Sequence, residues 1–365
     1  NENVDLVCIS MMLTSQAPRG WELGDHFRAR GIPVIFGGIS TMLHAEETAL
    51  HADAVFLGEA EGRFTQVLAD LQNGCLKKVY DYLNTPAPIE SVGTARRSIL
   101  DRSLYNYKGV QMVDLVHPSR GCRFNCYPCC VSHLGARSFR PRPVDQVVAE
   151  VEAIPNNRLF FVDNSLAQNK QWELDLFKEL APLKRSIISH PIEDDEEVLK
   201  AAADAGAWYI YQAVFDTSDY IRNRVKRYKD HGIAVEGTIL LGLDEHDEDY
   251  IKRLIDFLLE IDLDLAEFTV LTPFPHTRTA DDLEKAGRIL TKDWKRYTAG
   301  DVVIQPAKMS PDKLQELYDY AWDTFYKDEP QVLKMGRLLK KAMRKEAKDG
   351  TADRFGPAPH LREAS

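Results

Sequence analysis

The chain has 365 residues, enough for two domains or for one large barrel with attachments. Hydrophobic residues make up 44% and charged residues 28%, as in a soluble globular protein with a buried core. The formal net charge of −10 argues against binding nucleic acid through general attraction to phosphates. No apolar run is long enough to span a membrane, and no segment resembles a signal peptide, so we expect a cytoplasmic protein.

Residues 1–76 alternate between strand and helix patterns. Strands are predicted in VDLVCISM, IPVIFGG and ADAVFLGE, and a helix is predicted in APRGWELGDHFRARG. This alternation predicts a parallel, doubly wound sheet, with Cys8 as a core residue of the first strand. Because only three strands are visible and the chain begins at Asn1 rather than Met, we expect the C-terminal half of a truncated Rossmann-like domain. A small α/β appendage is the alternative.

Residues 77–108 predict a linker with little regular structure, since they carry two prolines, a glycine and scattered charge. The alternation resumes in residues 109–280, where six strand patterns alternate with helix patterns. Six β/α units predict a full or partial parallel barrel, whose active site lies at the C-terminal ends of the strands. Polar residues follow several of these predicted strand ends: Asp163, Asn164, His190, Asp216 and Glu245.

Residues 281–348 predict a helical C-terminal region, in which Ser310 and Pro311 mark the start of one helix. The segment LKMGRLLKKAMRKEAK is basic and amphipathic. We interpret it as a solvated helix face, and peripheral contact with an anionic surface on the inner side of a membrane is the alternative. Residues 349–365 predict a disordered tail.

Four of the six cysteines lie in the segment HPSRGCRFNCYPCC. Secreted disulfide scaffolds spread their cysteines, so this concentration predicts a metal or cluster site in a reducing cytosol. Cys122, Cys126 and Cys129 form C-x3-C-x2-C, and three thiolates on one loop can bind three irons of a cubane [4Fe–4S] cluster. A fourth iron without a protein ligand can bind a small molecule. With Cys130 the loop could instead form a four-thiolate zinc site, although adjacent cysteines are poorly placed to bind one metal.

The segment CRFNCYPC resembles the signature of the radical S-adenosylmethionine (SAM) enzymes, C-x3-C-aromatic-x-C, with Tyr127 at the aromatic position. The resemblance covers about 113–277 and implies a partial parallel (β/α)6 barrel. It also implies that the three cysteines hold a [4Fe–4S] cluster whose open iron binds the amino and carboxylate groups of SAM. One electron from a low-potential donor such as flavodoxin or ferredoxin would then cleave SAM, under anaerobic conditions, to methionine and a 5′-deoxyadenosyl radical.

The N-terminal segments, LTPFPHT and the C-terminal region are similar to the class of radical SAM enzymes that carries a cobalamin-binding domain before the barrel. Hopanoid methylases and the anaerobic magnesium-protoporphyrin ester cyclase are close in pattern. In that class a Ser/Thr loop and a Gly-Gly turn contact the nucleotide tail of cobalamin, and the matching positions are Thr14, Ser15, Gly37 and Gly38. Two features depart from the class. The Asp-x-His-x-x-Gly loop is absent from the given residues, although a missing upstream segment could hold it, and His276 stands where relatives commonly carry Gly.

The resemblance also implies sites for SAM. Tyr127 would bound the adenine, with simple loop packing as the alternative, and Asp163 and Asn164 would bind the amino group or the ribose. In TILLGLDE, Gly242 and Glu245 match the Gly-x-Ile-x-Gly-x-x-Glu pattern of this class, whereas Thr238 and Leu240 do not.

Four further residues have two interpretations each. Asp216 stands where many relatives carry a Glu, and it would bind the ribose hydroxyls or serve as a helix N-cap. His190 would be an acid or base on the substrate side, or a satisfied strand-end histidine. Arg140 and Arg142 would neutralise a carboxylate, or hold the loop.

We therefore expect a radical SAM enzyme, with cobalamin, that methylates or otherwise modifies an unactivated carbon of a small molecule, lipid or tetrapyrrole. One alternative is a radical SAM cyclase or oxidoreductase that does not use cobalamin. The other is a non-catalytic zinc- or iron–sulfur-binding protein in which the barrel is a scaffold.

Overall fold

The computed structural model describes residues 4–101, 104–107, 110–111, 113–134 and 137–352. Most of the predicted disordered tail therefore lies outside the described residues. Its first residues, however, are ordered, because the Thr351 N–H donates to the carbonyl of Glu346 (2.8 Å) and the Thr351 hydroxyl accepts from Asn157 (3.3 Å).

The N-terminal part is a four-stranded parallel sheet with the strand order β1-β2-β3-β4. Its strands are β1 (Val7–Ser10), β2 (Val34–Gly37), β3 (Ala54–Leu57) and β4 (Val79–Asp81). Its helices are α1 (Ala17–Arg28), α2 (Ile39–Leu43), α3 (Ala45–Leu50) and α4 (Phe64–Gln72). Strands β2 and β3 are buried on both faces, since Phe36 and Val55 belong to one apolar core and Ile35 and Phe56 to another.

Two features of this sheet differ from the sequence expectation. Strand β4 lies inside the segment predicted to be a linker, where Tyr80 is buried and donates a hydrogen bond to Asp70 of α4 (2.8 Å). Cys8 is exposed and not part of the core. The reason is that β1 is an edge strand, in which Val7 and Ile9 pack inward and the alternate residues face outward.

Gly38 joins β2 directly to α2 in a conformation that only glycine adopts easily, with φ at 89°. A Cβ atom there would lie 2.6 Å from the Met11 carbonyl. We expect Gly38→Ala to lower the free energy of unfolding by more than about 2 kcal/mol, because backbone strain and a backbone clash add together. Gly31→Ala is the matched control, since Gly31 also has a positive φ (75°) but no atom within 4 Å of the added Cβ. Equal shifts of the two urea midpoints would contradict this prediction.

Two short antiparallel pairs lie outside the large sheets. The pair β5 (Asn106–Tyr107) with β6 (Val110–Gln111) lies between the two sheets in the chain, and the pair β8 (Ser119–Arg120) with β9 (Arg140–Pro141) precedes the second strand of the second sheet. Strand β7 (Asp114–Val116) lies between these two pairs in sequence and is the first strand of the second large sheet.

The second sheet has six parallel strands in the order β14-β13-β12-β11-β10-β7. The remaining strands are β10 (Arg158–Phe161), β11 (Ser186–Ser189), β12 (Ala207–Ala213), β13 (Ala234–Leu241) and β14 (Leu265–Val270). The connecting helices are α5 (Val144–Ala153), α6 (Lys170–Leu180), α7 (Glu196–Ala205), α8 (Asp219–Asp230) and α9 (Glu248–Glu260). One helix follows each of the first five strands, so the predicted α/β fold with parallel sheets is confirmed.

The two faces of the second sheet differ in character. Ile187, Ile210 and Val235 are fully buried against the helices in the largest apolar core. The alternate residues face the opposite side, where the rings of Phe160, His190 and Tyr211 stack across three neighbouring strands. This second face is therefore aromatic and polar, which suits a surface that meets ligands.

The C-terminal helices are α10 (Arg278–Lys285), α11 (Pro311–Phe325) and α12 (Gln331–Lys348). The predicted start of α11 is present, since the Ser310 hydroxyl accepts from the Lys313 N–H (3.2 Å). The stretch 286–310 is largely non-helical and includes a bridge between Ile289 and Ile304, so the region is less helical than expected. Within the described ranges, no helix is both long and apolar enough to cross a membrane.

Helix α12 lies against the N-terminal ends of the strands of the second sheet. Leu338 packs with Tyr209, Ala234 and Leu265, which lie near the starts of β12, β13 and β14. Glu346 pairs with Arg158, the first residue of β10. The opposite ends of the strands stay available for the cysteine loop.

Candidate functional site

The cysteine loop begins just beyond the C-terminal end of β7, and buried groups fix its base. Asp163 accepts hydrogen bonds from both the N–H and the hydroxyl of Ser119. Arg142 donates to the carbonyl of His117 (3.0 Å) and to Glu150 (2.6 Å). Gly121 has φ at 78°, and a Cβ there would collide with the Ser138 carbonyl.

The predicted ligands occupy a tight turn of this loop. The Cys129 N–H donates to the Cys126 carbonyl (2.9 Å), and the Val131 N–H donates to the Cys129 Sγ at 3.4 Å. Burial raises the pKa of Cys122 and of Cys129, and the neighbouring thiols raise them further. The donor set of three thiols, with an N–H directed at one of them, fits a thiolate-bound cluster. Within the described part of the chain, no three His, Cys, Asp or Glu side chains already surround one metal position. The three thiols would therefore have to move towards one another to bind a cluster.

Cys130 is half-buried beside these three residues. Burial raises the pKa of its thiol to about 11. Its carbonyl accepts from the His133 N–H (3.0 Å) at the start of a short helical turn. Through this hydrogen bond, Cys130 starts the short helical turn that follows the loop.

Arg140 and Arg142 serve the architecture of the loop. Arg140 forms an ion pair with Glu59 of the N-terminal part and donates to the Ala87 carbonyl (3.2 Å). Arg120, at the base of the loop, pairs with Glu59 (3.7 Å) and Glu61 (2.5 Å). These contacts favour the loop-holding interpretation and attach the loop to the N-terminal sheet.

Asp163 is 2% exposed, and burial raises the pKa of its carboxyl to about 7 against the hydrogen bonds from Ser119. Its other oxygen, Oδ2, has no hydrogen-bond partner within the described residues. Asn164, in contrast, is exposed. In this structure Asp163 positions the base of the loop, and its contact with SAM stays a prediction.

The raised pKa of Asp163 has a consequence for stability. Between about pH 4 and 7 the native state holds a proton that the unfolded state has lost, so stability from this group falls as pH rises through that window. Asp163→Asn removes this dependence. We expect the unfolding free energy of the wild type, minus that of Asp163→Asn, to fall between pH 4.5 and 7 and then to level off. Urea titrations at several pH values measure this difference in unfolding free energy. Asp175→Asn is the control, since Asp175 is exposed. The prediction would be refuted if the unfolding free energies of wild type and Asp163→Asn depended on pH in the same way.

His190 and Asp216 lie beyond neighbouring strands of the second sheet. The His190 ring packs against those of Phe160 and Tyr211, with its centroid 5.3 Å from each, and these two rings also contact one another at 5.7 Å. Burial lowers the pKa of His190. Asp216 accepts from the N–H (2.9 Å) and the hydroxyl (2.5 Å) of Ser218. Ser218 itself caps α8, so the alternative role of Asp216 as the N-cap is wrong.

Tyr127 and Glu245 line one groove of about 420 Å³, together with Asp244 and Arg288. Both residues are exposed. Gly242, at the end of β13, has φ at 92°, and a Cβ there would lie 2.7 Å from Leu314. The structure therefore brings the predicted adenine-site residue and the predicted strand-end residues to one edge of the sheet.

The predicted cobalamin contacts lie at the C-terminal edge of the N-terminal sheet. Thr14 is buried, with its hydroxyl 3.3 Å from Nε2 of His44, whereas Ser15 and Gly37 are partly exposed. The His44 ring packs edge-on against Trp294, at 4.7 Å between centroids. Sequence reasoning missed the contact between His44 and Trp294, because nothing in the sequence relates two residues that are so far apart.

Several known proteins resemble this chain, although no protein-family model matches it. It is 25% identical to bacteriochlorophyllide d C-8(2)-methyltransferase of Chlorobaculum tepidum over 82% of this chain and 72% of that enzyme. It is 24% identical to the C-12(1)-methyltransferase of the same organism, over 92% of this chain and 76% of the relative. Hopanoid C-2 methylase of Rhodopseudomonas palustris is 21% identical over 79% of this chain and 61% of that enzyme.

A solved structure shares the fold. It is the radical SAM methyltransferase TsrM of Kitasatospora setae with tryptophan and a SAM analogue bound, with a TM-score of 0.66 and 14% identity. The likeness covers 87% of this chain and 72% of TsrM. The chain is similar to radical SAM methyltransferases. The predicted radical SAM resemblance, including that to hopanoid methylases, is thus confirmed, and so is the prediction of an enzyme.

Proposed function

We propose that this chain is a radical SAM methyltransferase that acts on an unactivated carbon of a small molecule, lipid or tetrapyrrole. The observation that carries the proposal is the C-x3-C-x2-C loop, which sits at the C-terminal end of β7 in a six-stranded parallel sheet. Similarity to methyltransferases along most of the chain supports methyl transfer over cyclisation or oxidation. A tetrapyrrole substrate is supported by the two relatives named for bacteriochlorophyllide d.

The second sheet forms a partial (β/α)6 barrel in this proposal, with its aromatic and polar face turned inward. Parallel barrels place their chemistry at the C-terminal strand ends, where the cysteine loop, His190 and Asp216 lie. The barrel begins near 109 and ends near 280, and the N-terminal sheet is a Rossmann-like domain that extends to β4. The region after 281, with α10, α11 and α12, forms a separate part.

Cys122, Cys126 and Cys129 would hold a [4Fe–4S] cluster, which supplies the electron for cleavage of SAM to a 5′-deoxyadenosyl radical. Tyr127 would bound the adenine, and Asn164, Asp216, Gly242 and Glu245 would hold the rest of SAM. The half-buried His190, kept neutral at pH 7 by its lowered pKa, can accept a proton on the substrate side. Asp163 would fix the loop through Ser119, and it would also bind the amino group or the ribose of SAM.

Cobalamin would bind at the edge of the N-terminal sheet that carries Thr14, Ser15, Gly37 and Gly38. Gly38 lets the backbone turn there without a side chain. TsrM, which shares the fold, has been solved with cobalamin and a [4Fe–4S] cluster bound, at a TM-score of 0.63. A radical SAM enzyme without cobalamin is the second candidate.

The first experiment is anaerobic reconstitution of the full chain with iron and sulfide, followed by reduction with SAM present. Chemical reduction replaces the low-potential protein donor, such as flavodoxin or ferredoxin, that we propose for the cell. We expect 5′-deoxyadenosine, and methyl transfer to an acceptor after methylcobalamin is added. A chain that takes up zinc, or a cluster that never cleaves SAM, would show that the loop is structural.

Peripheral membrane contact is a proposal about α12. A groove of about 520 Å³ beside this helix is lined by six basic side chains and two carboxylates. Val332 and Leu333 are exposed at the N-terminal end of α12. Such a basic surface with apolar side chains fits an anionic membrane.

We expect the full chain to sediment with vesicles of phosphatidylglycerol but not of phosphatidylcholine. Lys340→Glu with Lys341→Glu should weaken this binding strongly, since each basic residue contributes about 1 kcal/mol near an anionic surface. Lys200→Glu with Lys226→Glu, both exposed on α7 and α8, is the matched control. If the chain binds vesicles of the two lipids equally, the result would favour the interpretation that the basic face of α12 is simply solvated.

A further inference from the structure

The inner face of the second sheet is the face turned away from the connecting helices, and an apolar stripe crosses it. Leu115 of β7, Phe160 of β10 and Tyr211 of β12 belong to this stripe. Leu115 is 56% exposed, although it pairs in register with Phe160 in the middle of β7. The rings of Phe160 and Tyr211 are 5.7 Å apart, and their planes differ by only 27°. Such a face offers a surface on which a flat ring system can pack.

The same face becomes acidic beside Tyr211. Glu236 of β13 is the partner of Tyr211 in register, and Glu267 is exposed on β14 between two residues that are buried against the helices. Glu236 is 6% exposed and accepts a hydrogen bond from the Tyr209 hydroxyl. Burial raises the pKa of Glu236, and the charge of Glu267 raises it further. The two carboxylates therefore lie near one another on the inner face.

These two carboxylates lack a cationic partner. Neither Glu236 nor Glu267 pairs with a lysine or an arginine within the described ranges. Only the hydroxyl groups of Tyr209 and Tyr211 counteract the raised pKa of Glu236. Carboxylates that are removed from water are usually paired, because an uncompensated charge is costly there. A positively charged group bound on this face would supply the missing partner.

A nitrogen cation suits this place better than a metal ion. Within the part of the chain that the structure describes, no group of three His, Cys, Asp or Glu side chains can hold a metal. Divalent cations take about six oxygen ligands, whereas a protonated amine needs only one or two carboxylates for charge-assisted hydrogen bonds. The faces of aromatic rings such as those of Phe160 and Tyr211 also attract such a cation.

The acidic pair lies well inside the sheet. Glu236 stands roughly 17 Å along β13 from Leu241, the last residue of the strand. The cysteine loop begins beyond the C-terminal end of β7, at the same edge of the sheet as Leu241. A molecule held at Glu236 therefore directs its other end towards the loop.

We propose that the inner face binds the substrate through a flat apolar ring system and a protonated nitrogen. The rings of Phe160 and Tyr211 pack against the ring system, and Glu236 and Glu267 pair with the nitrogen. The carbon to be modified then lies on the side of the cysteine loop. The inference rests on the proposed function and narrows its substrate to a ring-containing cation.

The test compares two probes that share a ring and differ in charge, 2-naphthylmethylamine and 2-naphthoate. The full chain is reconstituted without a reductant, so that SAM is not cleaved, and binding is measured by equilibrium dialysis at pH 7 and constant ionic strength. We expect the amine to bind at least about tenfold more tightly than the naphthoate, since only the amine can pair with the carboxylates. Equal binding of the two probes, or tighter binding of the naphthoate, would overturn the inference.

Glu267→Gln keeps the size of an exposed side chain and should weaken binding of the amine about tenfold, as loss of one bond to a charged group does. Glu179→Gln, an exposed residue of α6, is the matched control for general attraction to an acidic protein. Phe160→Leu should weaken binding of both probes, because it removes a ring. Equal binding of the amine by Glu267→Gln and Glu179→Gln would contradict the inference, and so would displacement of the amine by Mg²⁺ at constant ionic strength.

The two proposals fail in different ways. A chain that binds the amine but forms no 5′-deoxyadenosine after reduction would overturn the proposed function and leave the binding site standing. A chain that cleaves SAM but binds the amine no better than the naphthoate would overturn only the inference about the inner face.

Discussion

Replacing Glu346 with Ala should lower the free energy of unfolding by about 3–5 kcal/mol, the range for breaking a buried ion pair. Glu346 is 2% exposed in α12, and its carboxylate accepts from Nε and Nη2 of Arg158 at 3.2 and 3.1 Å. It also accepts from the Ser186 hydroxyl at 2.7 Å. The substitution removes the acceptor that joins α12 to the first residues of β10 and β11.

Lys345→Ala is the matched control on the same helix. Lys345 is half-exposed and pairs with Asp349 at 3.0 Å, and such surface pairs contribute about 0–1 kcal/mol. Urea unfolding followed by circular dichroism compares the two variants. Because α12 covers the strand ends opposite to the cysteine loop, Glu346→Ala should still cleave SAM at low temperature. A midpoint equal to that of Lys345→Ala would mean that the buried pair is not stabilising.

Sequence patterns located the helices and strands that have one apolar face. The segment EDYIKRLIDFLLE became α9, because Ile251, Leu254, Ile255 and Leu258 recur at helical spacing and are all buried. Strand β4 was missed because it has only three residues, of which Tyr80 alone is buried. Such a strand depends on its pairing with β3 and on the Tyr80–Asp70 hydrogen bond, which are contacts between distant parts of the chain.

The candidate site was predictable in position but not in the direction of its side chains. The cysteine spacing and the strand-end polar residues located the site, since C-terminal ends of parallel strands share one edge. Nothing in the sequence showed that Asp163 faces Ser119, or that Ser218 rather than Asp216 caps α8. The His133–His276 stack joins two loops that are far apart in sequence, so it could be seen only in the fold.

Cys126→Ala should abolish 5′-deoxyadenosine formation and sharply lower the iron content of the reconstituted chain. Two remaining loop thiolates cannot hold three irons of a cubane, so no open iron is left to bind SAM. The turn itself should persist, because its hydrogen bond runs from the Cys129 N–H to the backbone carbonyl of residue 126, which Ala retains. The loss should therefore come from the missing thiolate and not from unfolding, and a circular dichroism spectrum checks this.

Cys130→Ala is the control that separates the cluster from a zinc site. If three thiolates bind the cluster, Cys130→Ala keeps its iron and its SAM cleavage, because the half-buried Cys130 lies outside C-x3-C-x2-C. If four thiolates bind zinc, Cys130→Ala loses the metal as Cys126→Ala does, since a structural zinc site needs four ligands. Metal analysis and 5′-deoxyadenosine assays on both variants decide between these sites. Loss of iron and of SAM cleavage in both variants would instead make Cys130 part of the cluster site.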